Sequence, residues 1–169
     1  DDGPDPLSTP GILALAAEYG ITAMFFCTGE KVKSFPDIFN SIVAGGHVTG
    51  NHGFSHPDGW KTDSGDYIND VLRASELIPG KIFRPPYGRL TPSQYAKLKG
   101  EFKIFFWDIM PYDYDRDLSW ESSYEMLRKK LRPGSVIALH DKAESSCHHY
   151  LRQFVDFALE NGYRFVLPR

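Results

Sequence analysis

The chain has 169 residues, enough for one domain with a hydrophobic core of its own. Its 41% hydrophobic and 24% charged residues are ordinary for a globular protein. A formal net charge of −3 predicts no basic surface for nucleic acid, and no apolar run approaches the roughly 18 residues of a membrane span. The two cysteines, Cys27 and Cys147, exclude a dense disulfide framework, and the apolar run around Cys27 predicts a buried thiol.

Apolar runs of about five residues alternate with amphipathic stretches of about ten, the pattern of βα units around a parallel sheet. Helices are predicted at Thr9–Tyr19, Phe35–Ala44, Ser64–Leu77, Pro92–Lys99, Ser119–Leu131 and Ser146–Asn161. Strands are predicted at Thr22–Cys27, His47–Gly50, Lys81–Arg84, Phe102–Trp107, Ser135–Leu139 and Tyr163–Val166. With a first strand expected upstream of Asp1, residues 1–169 are predicted to form a single α/β domain, a distorted (β/α) barrel of about seven parallel strands.

Two histidines, His52 and His56, follow the second predicted strand and lie four residues apart. Gly53 and Pro57 between and after them favour a loop over a helix. Imidazole is a common zinc ligand, and histidines on a loop can share one ion. Taken alone, the pair is equally consistent with a metal site and with two unrelated surface histidines.

A catalytic metal site needs a third protein ligand and an open position for water. Asp1 and Asp2 open the chain on a tight turn with Gly3–Pro4. Adjacent side chains point in different directions, so one carboxylate could bind the metal while the other accepts a proton from water. Taken alone, this segment is more simply interpreted as a solvated acidic turn.

Arg84 ends the third predicted strand, and its guanidinium could hold a carboxylate through charge-assisted hydrogen bonds. Taken alone, it is a surface arginine in a turn with Pro85–Pro86. His140 follows the fifth predicted strand and has the chemistry of a general acid for a departing amine. Asp113 lies past the fourth strand and could orient that histidine. Because loops at one rim of a barrel converge, these residues could meet in one pocket.

Together, five segments resemble the polysaccharide deacetylase family, also called the NodB-like domain or carbohydrate esterase family 4. In chain order the segments are Asp1–Pro4, Asn51–Pro57, Arg84–Gly88, Trp107–Tyr114 and Leu139–Asp141. Each segment is a weak signal by itself, but five in the family's order across most of the chain are a strong one. The fold that the resemblance implies is a distorted βα barrel with fewer strands than the eightfold form.

The resemblance also implies roles in proton transfer. Asp1 would be the general base, held by Arg84. His140 would be the general acid, oriented by Asp113, with Asp115 as a competitor for that orienting role.

The resemblance further implies a site for one divalent metal ion. Zinc is the first candidate, and cobalt or another divalent ion is the alternative. The implied ligands are Asp2, His52 and His56. The backbone N–H of Tyr87 would stabilise the oxyanion, and Tyr114 with Leu139 would hold the acetyl methyl group.

The leading hypothesis is thus a metal-dependent hydrolase that removes N-acetyl groups from polymers or oligomers containing N-acetylglucosamine, such as peptidoglycan or chitin-like chains. One alternative is an amidase for a small linear or cyclic amide, which would need a narrow closed pocket. Another is a non-catalytic carbohydrate-binding relative, which the loss of a ligand or proton-transfer residue would indicate. No nucleic-acid partner is expected, and the resemblance favours a cell-envelope or extracytoplasmic location.

Overall fold

The computed structural model describes residues 1–168, in which helices and strands alternate along the chain. The helices are α1 (Thr9–Tyr19), α2 (Gly29–Ser34), α3 (Pro36–Ala44), α4 (Ser64–Ser75), α5 (Pro92–Leu98), α6 (Trp120–Lys130) and α7 (Leu151–Glu160). The strands are β1 (Met24–Cys27), β2 (Val48–Asn51), β3 (Ile82–Phe83) and β4 (Lys103–Ile104). Short 3-10 helices lie at Pro86–Gly88 and Ser146–His149. This order confirms the α/β class.

The four strands form one parallel sheet in the order β1-β2-β3-β4. Strand β1 pairs with β2 from Met24 opposite Val48 to Cys27 opposite Asn51. Because all the strands run the same way, their carboxyl ends lie along one edge of the sheet. The segments that follow β2 and β3, which carry the histidine pair and Arg84, therefore start side by side.

The number of strands is smaller than the sequence predicted. Within residues 1–168 the structure has four strands in the sheet, and the predicted strand Ser135–Leu139 contributes only an isolated parallel bridge between Ile137 and Ile109. Residues 163–166 form no strand. Phe165 instead packs its ring against Phe154, with 6.4 Å between the centroids, so this apolar pattern reflects side-chain burial without a backbone ladder.

The helices agree more closely with the sequence. The predicted bounds of α1 are confirmed, and α5 and α6 differ from theirs by one residue at the ends. Helix α2 was not predicted, because its six residues are too few to show a clear apolar period. The helix predicted at Ser146–Asn161 is interrupted at Tyr150, whose φ of −130° separates a 3-10 turn from α7.

Three clusters of buried side chains form the core. They are centred on Phe25, Phe39 and Ile42, on Tyr67, Phe83 and Leu98, and on Ile109, Tyr150 and Phe154. The two cysteines are free and buried, as predicted for Cys27, and burial raises the pKa of each thiol to about 12. Among the described residues, no helix combines the length and the apolarity that crossing a membrane requires.

Candidate active site

Asp2, His52 and His56 converge at the carboxyl edge of the sheet, as the sequence predicted. One potential ligand atom from each residue lies within 4.8 Å of the other two. The Oδ1 atom of Asp2 is 3.4 Å from Nε2 of His52 and 3.0 Å from Nε2 of His56. Asp2 and His52 are buried and His56 is partly exposed, so the cluster opens toward solvent on the His56 side.

Backbone pairing places His52 at this point. Its N–H donates to the carbonyl of Cys27, which continues the β1–β2 ladder one residue past β2. The Nδ1 atom of His52 lies 2.7 Å from the carbonyl oxygen of Arg84. Because a carbonyl only accepts, Nδ1 carries the proton and the lone pair of Nε2 faces Asp2. An outer hydrogen bond of this kind is how metal-binding histidines are usually oriented.

A carboxylate that sequence reasoning missed holds the loop between the two histidines. Asp70 of α4 accepts hydrogen bonds from the backbone N–H of Phe54 at 2.6 Å and of Ser55 at 3.1 Å. It also accepts one from the Ser55 hydroxyl at 2.7 Å. Asp70 is 14 residues from His56 in sequence, so no local pattern indicated this contact.

The electrostatics of the cluster fit a cation. Burial lowers the pKa of His52 to about 4, so the ring is neutral near pH 7. Within the described residues the buried Oδ1 of Asp2 accepts no hydrogen bond, while its Oδ2 is 2.6 Å from Nζ of Lys142. A charged oxygen without a donor, beside two imidazoles, is a donor set that divalent zinc prefers.

Asp1 and Arg84 form a buried ion pair next to this cluster. Nη1 of Arg84 donates to Oδ1 of Asp1 at 2.7 Å, and both side chains are nearly inaccessible to solvent. The Arg84 guanidinium lies 4.2 Å from the centroid of the Phe26 ring. Burial lowers the pKa of Arg84 to about 10, which still leaves it charged at neutral pH. The sequence hypothesis that Arg84 holds a carboxylate agrees with this geometry.

His140 contacts Asp113 and not Asp115. Nδ1 of His140 lies 2.8 Å from Oδ1 of Asp113, and the His140 backbone N–H donates to Oδ2 of Asp113 at 2.8 Å. The Ser145 hydroxyl donates to the same Oδ2 at 2.6 Å. Asp115 is exposed and accepts from the backbone N–H of Asp117. Ser145 was not singled out from the sequence.

Tyr87 and Tyr114 flank the histidines. The Tyr87 ring centroid is 4.6 Å from that of His56, and the Tyr114 ring centroid is 4.8 Å from that of His140. Leu139 is half-buried against the cluster around Ile109, and its carbonyl accepts from the amino group of Asp1 at 2.8 Å. The two aromatic residues that the sequence placed near the substrate thus lie beside His56 and His140. Leu139 packs against the buried side chains around Ile109.

A family model described as polysaccharide deacetylase matches residues 1–100. The chain belongs to the polysaccharide deacetylase family. The resemblance carried by the five sequence segments is thereby confirmed.

Relatives of the chain include deacetylases for two kinds of glycan. It is 33% identical over 147 residues to a peptidoglycan-N-acetylglucosamine deacetylase of Bacillus cereus, covering 83% of this chain and 53% of that protein. It is 33% identical over 153 residues to a chitooligosaccharide deacetylase of Sinorhizobium fredii, covering 83% of this chain and 69% of that protein. The chain thus spans about half the length of the first relative.

A solved structure shares the fold. It is a peptidoglycan N-acetylglucosamine deacetylase in complex with 4-naphthalen-1-yl-N-oxidanyl-benzamide, similar to this chain with a TM-score of 0.90 and 30% sequence identity. The match covers 98% of this chain and 82% of that one.

Backbone strain is concentrated around the candidate active site. Within residues 1–168, the non-glycine residues with positive φ are Asp2 (74°), His56 (60°), Tyr87 (58°) and Tyr112 (57°). Left-handed conformations are costly for residues with a Cβ and persist where surrounding contacts impose them. Asp2 and His56 belong to the potential metal site, and the Tyr87 ring contacts that of His56. The fold therefore holds this site in a backbone conformation that the unfolded chain would avoid.

Asp141 ties the first residues of the chain to the segment that follows Leu139. Its carboxylate accepts from the hydroxyls of Ser8 at 2.5 Å and Thr9 at 2.7 Å. A Cβ added to Gly3 would lie 2.3 Å from Oδ2 of Asp141, so only glycine permits this approach.

Proposed function

We propose that this protein is a metal-dependent hydrolase that removes N-acetyl groups from polysaccharides or oligosaccharides containing N-acetylglucosamine. The observation that carries the proposal is the convergence of a potential metal site, a buried carboxylate–arginine pair and a histidine–carboxylate pair at one edge of the sheet. The relatives described above are deacetylases for peptidoglycan and chitooligosaccharides, which supports the substrate class.

Asp2, His52 and His56 would hold one divalent ion, zinc first and cobalt or another divalent ion as alternatives. When bound, the ion would supply a positive charge that polarises the acetamide carbonyl and lowers the pKa of a water molecule. The contact between His52 and the Arg84 carbonyl fixes the ring for this role.

Asp1 would accept the proton from the attacking water. Its Oδ1 accepts a charge-assisted hydrogen bond from Arg84, which holds the carboxylate in one orientation. A carboxylate next to Asp2 in sequence is also next to the proposed metal site in space, so ligand and base can share one turn. Replacement of Asp1 by asparagine would remove the base while keeping a similar side-chain shape.

His140 would deliver a proton to the departing amine. Asp113 contacts Nδ1 of His140, which leaves Nε2 available to face the substrate. Asp113 is itself fixed by Ser145, so the pair has a defined orientation. The products would be the free amino sugar and acetate.

Two further groups would contact the reacting acetamide. The backbone N–H of Tyr87 donates no hydrogen bond to any residue in the range 1–168, so it is free to stabilise an oxyanion. Tyr114, next to His140, and Leu139, which precedes it, would form the hydrophobic side of the acetyl pocket.

The exposed border of the site favours a glycan over a small amide. Tyr87, Tyr112 and Tyr114 are 57%, 44% and 46% exposed, which gives an open rim in place of the narrow pocket that a small-amide hydrolase would need. The non-catalytic alternative is disfavoured because the three potential ligands and both proton-transfer pairs are present together.

We also infer that the sheet continues into a barrel-like ring. Backbone hydrogen bonds join β1 to residues 2–3, residue 1 to residues 139–141, and residues 136–138 to residues 108–109. An apolar groove of about 640 Å³ lies between β1 and residues 133–137, lined also by residues 163–168.

The test is acetate release from chitin oligosaccharides and from peptidoglycan fragments, before and after chelation and with zinc or cobalt added back. We expect activity that chelation abolishes and the metal restores. Asp1→Asn should lose activity while still binding metal, and His52→Ala should lose both.

The matched control is His148→Ala, which removes an exposed histidine outside the cluster and should leave activity and metal content unchanged. Tight metal binding without acetate release from any glycan would favour the small-amide or binding-only alternatives. Absence of metal binding by the folded protein would contradict the proposal.

A further inference from the structure

Trp60 is a large aromatic side chain that the structure exposes and yet holds in place. It is 66% exposed, whereas burial is the usual fate of an indole. Its backbone N–H donates to Oδ1 of Asp58 at 3.0 Å, and its Nε1 donates to the carbonyl of Leu90 at 3.4 Å. Trp60 is therefore fixed at both ends, with much of the ring open to solvent.

A partly buried ion pair between Arg89 and Asp58 lies against the indole. The Arg89 guanidinium lies 4.9 Å from the Trp60 ring centroid, and Arg89 donates to Oδ2 of Asp58 at 2.5 Å. A guanidinium stacked on an aromatic face is attracted to it electrostatically. Because Asp58 holds Arg89 as well as the Trp60 backbone, the ring and its support move as one unit.

The turn that carries Trp60 is packed directly against the loop that follows β3. A Cβ added to Gly59 would lie 2.2 Å from the Arg89 carbonyl oxygen, so the two backbones are in close contact. Gln94 is fully buried and donates from Nε2 to the Gly59 carbonyl at 2.9 Å, while its Oε1 accepts from the N–H of Thr91. These contacts give Trp60 a fixed position relative to the Tyr87 loop.

The surface around Trp60 is continuous with the proposed active site. The Arg89 guanidinium is also 5.7 Å from the Tyr87 ring centroid, and the Tyr87 ring contacts that of His56 edge to face. Trp60 follows His56 by four residues. A row of planar groups thus runs from the potential metal ligand His56 through Tyr87 and Arg89 to Trp60. We name Trp60, Arg89 and Asp58 the Trp60 platform.

We propose that the Trp60 platform binds a pyranose ring of the substrate beside the sugar that is deacetylated, which makes the protein selective for chains of several sugars. This inference rests on the proposed deacetylase function. The exposed indole face offers a flat apolar surface to the C–H face of a sugar, and the Asp58 and Arg89 groups at its edge can bond to hydroxyls. Trp60 would be a specificity residue, since it touches no part of the proton-transfer machinery.

The test compares kcat/KM on the N-acetylglucosamine disaccharide and pentasaccharide. Trp60→Ala should lower kcat/KM for the pentasaccharide by about tenfold and leave that for the disaccharide nearly unchanged. Trp60→Phe, which keeps a flat ring, should recover most of the loss. Arg89→Ala should show the same dependence on chain length. Val43→Ala, which removes an exposed apolar side chain on α3, is the control and should behave as wild type.

Binding without turnover is measured separately, through tryptophan fluorescence during titration with the pentasaccharide. Trp60 is the most exposed of the three tryptophans, so its emission should change in wild type and not in Trp60→Phe. If no glycan releases acetate but this signal appears, the proposed function fails and the subsite stands. Equal losses on both oligosaccharides, or no loss on either together with no fluorescence change, would overturn the subsite.

Discussion

At the scale of single residues, Asp113 is the most fully engaged carboxylate of the site. It is 1% exposed and accepts hydrogen bonds from the backbone and side chain of His140 and from the Ser145 hydroxyl. Burial acts to raise the pKa of Asp113, but these partners together hold it below its ordinary value. Asp113 therefore stays charged at neutral pH and can fix the tautomer and orientation of His140.

We predict that Asp113→Asn lowers kcat on a chitin oligosaccharide by about 100-fold to 10,000-fold, as the loss of an orienting carboxylate does in other proton-transfer pairs. KM should change much less, because Asp113 does not face the solvent-exposed rim. The measurement is steady-state acetate release, with metal content determined on the same sample to show that the ligand cluster is intact.

The control at this site is Asp115→Asn. Asp115 is exposed and its carboxylate bonds to the backbone of Asp117, so this variant should keep nearly wild-type kcat. A large loss of kcat in Asp115→Asn with none in Asp113→Asn would reverse the assignment.

At the scale of elements, α4 supports the loop that carries the second histidine. The Asp70 carboxylate accepts from the backbone of Phe54 and Ser55, which lie between His52 and His56. The positive φ of His56 shows that the loop is held in a strained path. Without the hydrogen bonds to Asp70, the loop could relax to a less strained conformation at a smaller cost in free energy.

We predict that Asp70→Ala weakens zinc binding by about 10-fold to 100-fold, the usual effect of removing an outer partner of a metal site. Competition with a fluorescent zinc chelator measures the affinity, and circular dichroism checks that helix content is retained. Asn69→Ala, a change at the neighbouring exposed position of α4, should leave zinc affinity at the wild-type value. Equal zinc affinity in Asp70→Ala and wild type would show that the loop keeps its shape unaided.

Elements with a strong local signal were predictable from the sequence, and those that depend on a distant partner were not. Helix α1 has its proline at the first turn and Gly20 at its end, so both bounds could be read directly. Residues 135–139 have strand-like composition, but a strand also needs a neighbour with matching register. Within residues 1–168 that neighbour is limited to one bridge, from Ile109 to Ile137.

The same distinction holds within the site. The residues singled out from the sequence stand in short motifs. The structure brings Asp2, His52 and His56 together, pairs Arg84 with Asp1, and pairs His140 with Asp113. Asp70, Ser145 and the Trp60 platform could not be found this way, since each acts through a contact between segments far apart in sequence. Aspartate, serine and arginine are common on any solvated surface, and Trp60 belongs to none of the five segments, so only the fold identifies these residues.

At the scale of the whole molecule, residues 1–3 link the four-stranded sheet to the segment that carries the bridge between Ile109 and Ile137. The N–H of Thr28 donates to the Gly3 carbonyl, the N–H of Asp141 donates to the Asp1 carbonyl, and that of Ala138 donates to the Ile109 carbonyl. If the sheet continues into a barrel-like ring, these amides are protected by the same cooperative structure as the sheet.

We predict that the amides of Thr28, Ala138 and Asp141 exchange with solvent deuterium nearly as slowly as those of β2. Hydrogen exchange followed by NMR resolves the individual amides, and the exposed turn residue Gly134 provides the fast-exchanging control. Exchange of Ala138 and Asp141 at the rate of Gly134 would mean that the ring is open at this side.

Arg84 contacts two neighbours through different groups. Its guanidinium donates to Asp1, and its backbone carbonyl accepts from His52. Mutation alters the first and not the second, because every amino acid carries the same carbonyl. A lineage that replaces Arg84 would therefore lose the proposed base's partner while the orientation of His52 is retained. Such a descendant would keep the His52 ring in position for the proposed ion, and a change at the single codon of residue 84 would restore the partner of Asp1.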